Sequence, residues 1–252
     1  MESTAEVIAQ QAEQDAISRA RLSVQELVDC DTDGNAGCIG GHPQMAFYFI
    51  YRYGLTSARD YPYQMEQGRC KVRNVGNPIA TTESWGVLTT DHEDNMEMVI
   101  RWIGPIAVGI DSSDPAFLAY RGGIYDNKDC DPHLNHAVLV VGYGQEVLED
   151  GRVVRYWIVR NTWGYWWGEN GYFRIKRGSG RRGEPGVCGI SMSPSVALGG
   201  TLLPKSGIIA STANHGDASS VRSQRLQESL LSNYCSALGF GTDLQTCHRI
   251  EG

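Results

Sequence analysis

No stretch of this 252-residue chain approaches the roughly eighteen uncharged apolar residues that a membrane-spanning helix needs, so a helical membrane protein is excluded. Positive charge is in short supply. The 22 Lys and Arg stand against 29 Asp and Glu, and the net charge of -7 argues against nucleic acid as a partner. The seven cysteines (Cys30, Cys38, Cys70, Cys130, Cys188, Cys235 and Cys247) contain no C-x-x-C pair. Zinc ligands usually come in close pairs, so this spread suits a zinc site poorly. Met1 to Ala20 has neither a basic n-region nor an apolar h-region, and no signal peptide is read there. Internal repeats and low-complexity runs are lacking too.

What is present is ample apolar material, 41% of the residues, and 30 glycines that mark turns and close backbone approaches. An odd number of cysteines leaves two readings: a reducing compartment with all thiols free, or an oxidising one with a partner missing. Ala5, Val7, Ile8, Ala12, Ile17 and Leu22 recur at helical intervals, so a helix over Thr4–Arg19 is expected, starting without an N-cap. Further helices are expected at Ser23–Asp29, capped by Ser23, at Pro43–Tyr53, stopped by Gly54, and at His92–Trp102, stopped by Gly104-Pro105. Short Val-, Ile-, Tyr- and Trp-rich segments then read as strands: Ile106–Ile110, Ala137–Val141, Tyr156–Arg160 and Gly171–Lys176. Helices first and strands later imply an α+β protein of two segregated lobes. We place them at 1–82 and 83–200. Residues 201–252, rich in Ser, Gly and Asn, form an extension with an amphipathic helix over Ser220–Leu231. This extension either packs on the body through Leu226, Leu230 and Leu231 or stays disordered.

Four segments carry chemistry. They are Leu22-Ser-Val-Gln-Glu-Leu-Val-Asp-Cys30 with Gly37-Cys-Ile-Gly-Gly-His-Pro43; Tyr61-Pro-Tyr63 leading to Cys70; Leu134-Asn-His-Ala-Val-Leu-Val-Val-Gly-Tyr-Gly144; and Tyr156-Trp-Ile-Val-Arg-Asn-Thr-Trp-Gly164 running into Trp166-Trp-Gly-Glu-Asn-Gly-Tyr172. His136 stands at the entrance of a strand and Asn161 at the end of another. An imidazole and a carboxamide on neighbouring strand ends can hydrogen-bond, which fixes the ring tautomer and turns the other nitrogen toward a nucleophile. Trp163 and Trp167 are placed to shield that bond from water. A zinc site on Cys130, His133 and His136 is a competing reading, with loosely ligand-like spacing.

From about Ala5 to Ser193 the four segments resemble the papain-family cysteine peptidases, close to the cathepsins, in order and spacing. The resemblance implies a two-lobe fold, a helical lobe and a β-barrel-like lobe, missing its N-terminal segment. It implies thiol-dependent hydrolysis of peptide bonds, with a peptide or protein as substrate and no cofactor or metal. Position by position, His136 matches the general base and acid, and Asn161 matches its orienting partner. Trp163 matches the indole over their bond, with Trp167 beside it. Gly40 and Gly41 match the backbone that pairs with extended substrate. Pro43, Gly109, Ala137 and Ser193 match the walls of the pocket selecting the residue two before the cut. Asn135 adjoins the base, and His42 stands where an aromatic is common, either tuning preference or facing solvent.

The resemblance also implies the disulfides Cys30–Cys70 and Cys130–Cys188, and the latter disfavours zinc. Cys235 and Cys247 would close the tail, and Cys38 would stay unpaired. Its family partner is the first cysteine of a Cys-Gly-Ser-Cys-Trp segment, whose second cysteine is the nucleophile. Counting along the family spacing places that segment, and the oxyanion glutamine before it, upstream of Met1. Ser3, the nearest hydroxyl, falls a turn past the nucleophile's site. The chain is therefore expected to be inactive alone. It is either a part of an active peptidase, whose complementary N-terminal fragment or propeptide is a partner, or a non-catalytic protein that binds peptides or a protein in its cleft. The resemblance implies a lysosomal, vacuolar or secreted location, where disulfides persist.

Overall fold

The computed structural model describes residues 21–71, 77–88, 93–127, 130, 133–178 and 184–203, all within one compact unit, Met1–Gly207. The helix expected over Thr4–Arg19, Ser3, the tail helix with its leucines and the Cys235–Cys247 pair lie outside the described residues.

Helix α1 (Val24–Cys30) starts where expected, because Ser23 adopts extended backbone and its Oγ accepts from the N–H of Glu26 at 2.9 Å. The same hydroxyl donates to the Tyr61 carbonyl at 2.7 Å, so the cap also pins the following loop. Glu26 has the spacing of a capping-box partner but points elsewhere. Its carboxylate takes the Thr56 N–H at 2.7 Å and the Thr56 hydroxyl at 2.5 Å. Helix α2 (Pro43–Tyr53) begins on proline and ends at Gly54, whose φ of 72° is the conformation that glycine adopts without steric cost. It buries Ala46, Phe47, Phe49 and Ile50. Burying side chains as large as Phe47 and Ile50 stabilises by about 1.5–3 kcal/mol each.

A seven-stranded sheet follows, in the order β1 (Ala80–Val87), β7 (Ser195–Leu202), β2 (Ile106–Ile110), β4 (His136–Val147), β5 (Val153–Arg160), β6 (Tyr172–Lys176) and β3 (Ile124–Tyr125). Neighbours are antiparallel except β3 on β6. Helix α3 (Glu93–Trp102) separates β1 from β2, and the short α4 (Pro115–Leu118) separates β2 from β3. The fold is α+β. Leu27, Phe47 and Ile50 from the helices share one core with Ala107, Leu139 and Ala197 of the sheet.

Two differences from the sequence reading have physical causes. Strands β4 and β5 run past their expected limits as a long hairpin, paired out to Val147 opposite Val153. Gly142 and Gly144 masked this continuity. In the structure Gly144 faces Tyr156, and a Cβ there would lie 2.7 Å from the ring's Cζ, so the missing side chain makes room for the aromatic one. Strands β1 and β7 pair Ala80 with Leu202 through Val87 with Ser195, a contact between distant segments. Both carry glycines, which disguise strands.

Candidate active site

His136 is the first residue of β4, and Asn161 directly follows β5. Since β4 and β5 are antiparallel neighbours with Leu139 opposite Arg160, both residues emerge at the same end of the sheet. The Asn161 N–H donates to the Gly171 carbonyl at 2.9 Å, tying this end to the turn that enters β6.

The imidazole Nε2 lies 2.8 Å from Asn161 Oδ1. The same oxygen accepts the Thr162 N–H at 2.8 Å. A backbone N–H needs an acceptor, so the atom at this position is the oxygen of the amide and Nε2 must be the donor. The neutral ring therefore keeps a free lone pair on Nδ1. Asn161 is buried, and its Nδ2 has no hydrogen-bond partner among the described residues.

Trp163 stacks on the imidazole, with ring centroids 5.0 Å apart and an interplanar angle of 28°. Trp167 meets Trp163 edge-on at 5.1 Å and is itself buried, its indole N–H donating to the Leu118 carbonyl at 3.1 Å. Phe117 of α4 touches both indoles, at 5.6 and 5.2 Å. Burial is the main influence on His136 and holds its pKa below the usual histidine value; the Asn161 bond opposes this more weakly. The ring is thus a neutral base at neutral pH.

Gly109 of β2 lies opposite Ala137 of β4. A Cβ on Gly109 would come 3.0 Å from Leu134 Cδ1, so only glycine fits without displacing that side chain. Strand β7 runs antiparallel to β2 with Ser195 opposite Ala107, which puts the half-buried Ser193 on the Gly109 side of that bridge. The Asn135 amide is engaged by Ser112 and Asp111. Its Oδ1 accepts from the Ser112 N–H and hydroxyl, both at 2.9 Å, and its Nδ2 donates to Asp111 at 2.5 Å.

Gly40, Gly41, His42 and Pro43 form a separate group between the 3-10 turn Gly37–Ile39 and α2. Gly40 (φ 142°) has backbone that side chains disfavour, and the His42 side chain is exposed without capping α2. The structure joins Cys30 to Cys70 and Cys130 to Cys188, and leaves Cys38 free and exposed. The disulfide occupies Cys130, so the Cys130–His133–His136 zinc reading loses its thiolate. Sequence reasoning missed the Thr162 N–H, Phe117 and Asn35, the last of which holds the His42 backbone. All three act through tertiary or backbone contacts that leave no motif.

The sequence pattern of the papain family cysteine proteases matches residues 2–198. The thiol protease SEN102 of Hemerocallis is 38% identical over 185 residues, which cover 73% of this chain and 49% of that protein. Cathepsin S of Bos taurus is 41% identical over 177 residues, covering 69% and 50% respectively. The bromelain protease from Ananas comosus, solved in complex with the E64 inhibitor, superposes with a TM-score of 0.69 at 32% identity, over 78% of this chain and 86% of that one. The chain spans about half the length of the curated relatives it matches.

Proposed function

Because this chain belongs to the papain family of cysteine proteases, we propose that it carries the base half of a thiol-dependent peptide-hydrolysing site. The Nε2–Oδ1 bond of 2.8 Å between His136 and Asn161, covered by Trp163, carries this reading. In the reaction, Nδ1 of His136 takes the proton of a thiol, and the thiolate attacks the scissile carbonyl. The imidazolium then protonates the departing amine, leaving a thioester. Nδ1 next removes a proton from water, which attacks the thioester and releases acid and thiol. Asn161 keeps the ring aligned throughout. Gly40 and Gly41 pair with the peptide backbone, and Pro43, Gly109, Ala137 and Ser193 receive the side chain two residues before the cut, beside His42.

Four of the five described cysteines are in disulfides and the fifth, Cys38, is exposed. On the family spacing, in which Cys38 matches a disulfide position and not the nucleophile, we assign the attacking thiol to a polypeptide bearing the Cys-Gly-Ser-Cys-Trp segment and expect this chain alone not to hydrolyse peptides. The same observation favours a second reading, a non-catalytic protein holding peptide or protein in its cleft. Papain-family proteases are typically lysosomal, vacuolar or secreted. Two disulfides support such a compartment for this chain.

A peptidyl vinyl sulfone and a fluorogenic peptide test the reading on the full chain. Expected are no hydrolysis and no His136-dependent adduct until a polypeptide bearing the Cys-Gly-Ser-Cys-Trp segment is added. Hydrolysis by the chain alone overturns the assignment of the thiol. Peptide binding without hydrolysis after that addition supports the second reading.

A further inference from the structure

Gly41 stands between two anchored neighbours. The Gly40 carbonyl accepts the Ala36 N–H at 2.9 Å. The His42 N–H donates to Asn35 Oδ1 at 2.7 Å, and the His42 carbonyl accepts from Asn35 Nδ2 at 3.4 Å. Gly41 itself is exposed, and no described residue takes its N–H or its carbonyl. An exposed, unpaired peptide edge held rigid on both sides is what an incoming extended chain needs.

The rigidity comes from one buried carboxamide. Asn35 is 6% exposed, and its Nδ2 also donates to the buried Asp31 carboxylate at 2.5 Å. This bond sets which end of the amide faces His42. The two glycines answer different demands. Gly40 needs its φ of 142°, whereas a Cβ on Gly41 would occupy the space of the Asn35 side chain. Asn35 and Gly41 are thus fitted to each other.

We propose that Asn35, held by Asp31, is the positioning residue that fixes the Gly40–His42 edge in the form that receives substrate backbone. The proposal rests on the reading of Gly41 as a peptide-pairing edge. Asp at position 35 would set a second carboxylate against Asp31, and Ala would leave His42 without its anchor.

The test is an NMR titration of the isotope-labelled full chain with N-acetyl-leucyl-leucinamide. A second ligand, N-methylated at the nitrogen of the first leucine, lacks a donor for Gly41. Wild type should bind the first ligand, with the Gly41 amide among the signals that move. Asn35→Ala should weaken this about tenfold, the equivalent of one or two hydrogen bonds, while the His136 ring signals stay in place. Both proteins should bind the N-methylated ligand equally weakly, a result that general loosening of the fold would not give. Equal affinity of wild type and Asn35→Ala for the first ligand overturns the proposal and leaves the reading of the site intact. No binding by wild type overturns both. Should Asn35→Ala fail to fold, Gly41→Ala displaces the same carboxamide, and wild-type affinity in that variant is equally fatal.

Discussion

At the scale of single residues, burial governs His136 and Glu26, and the consequences have signs. The depressed His136 value arises from its enclosure, to which Trp163 contributes by stacking. In an NMR pH titration the ring should change charge below the usual 6.5, and Trp163→Ala should move it back upward as water reaches the imidazole. An unchanged titration in the variant would mean that the indole contributes nothing to the enclosure. Glu26 behaves in the opposite direction. Burial raises its carboxyl above 4.5 despite the two bonds from Thr56. A carboxyl raised in the fold contributes stability that is complete below its unfolded value and is lost as pH rises through the folded one. Glu26→Gln should therefore gain relative to wild type as pH rises above 4.5, as measured by urea unfolding. A constant difference would refute the burial argument.

At the scale of elements, legibility followed punctuation. Helix α2 was readable to the residue because Pro43 opens it and Gly54 closes it. Strand β2 was readable over the same residues, Ile106–Ile110, just after the Gly104-Pro105 stop of the preceding helix. The β4–β5 hairpin was read short because Gly142 and Gly144 look like breakers, whereas Gly144 makes room for Tyr156 and Gly142 sits at a shift in the strand register. Gly144→Ala would push a Cβ into Tyr156, so we expect a loss of about 1–3 kcal/mol in urea unfolding. A neutral result would show that the ring swings aside freely. Strands β1 and β7 were unreadable for another reason. Their partners lie more than a hundred residues apart, Ala80 on Leu202, and neither segment alternates cleanly. The site divides along the same line. His136, Asn161 and Trp163 sit in a dense motif, whereas Asn35 and the Thr162 N–H are contacts without sequence spacing.

At the scale of the molecule, two cross-links bind loops to the core from opposite ends of the described chain. Cys30–Cys70 ties α1 to the segment after Tyr61, already held by the Tyr61 hydroxyl on Asp29 at 2.7 Å and the Gly68 N–H on Asp29 at 2.7 Å. Cys130–Cys188 ties the segment before β4 to the turn before β7. Closing loops with separations of 40 and 58 residues should contribute about 2–4 kcal/mol each. Reduction should lower the thermal midpoint, and Cys130→Ala with Cys188→Ala should reproduce part of that loss without reductant. Native labelling with a maleimide followed by peptide mapping should find Cys38 modified and these four cysteines protected.

The amide of Asn161 is steered by a group that belongs to no side chain, the N–H of Thr162. Its instruction is written in the main chain, so position 162 is free to vary in every chemical property but one. Thr162→Ala or Thr162→Val should leave the imidazole tautomer as it is. Thr162→Pro removes the hydrogen, and the amide then has nothing to tell its two ends apart. For this site, mutational tolerance at the adjoining position is therefore an all-or-none property of the peptide bond, and the single forbidden letter is the one that cannot donate.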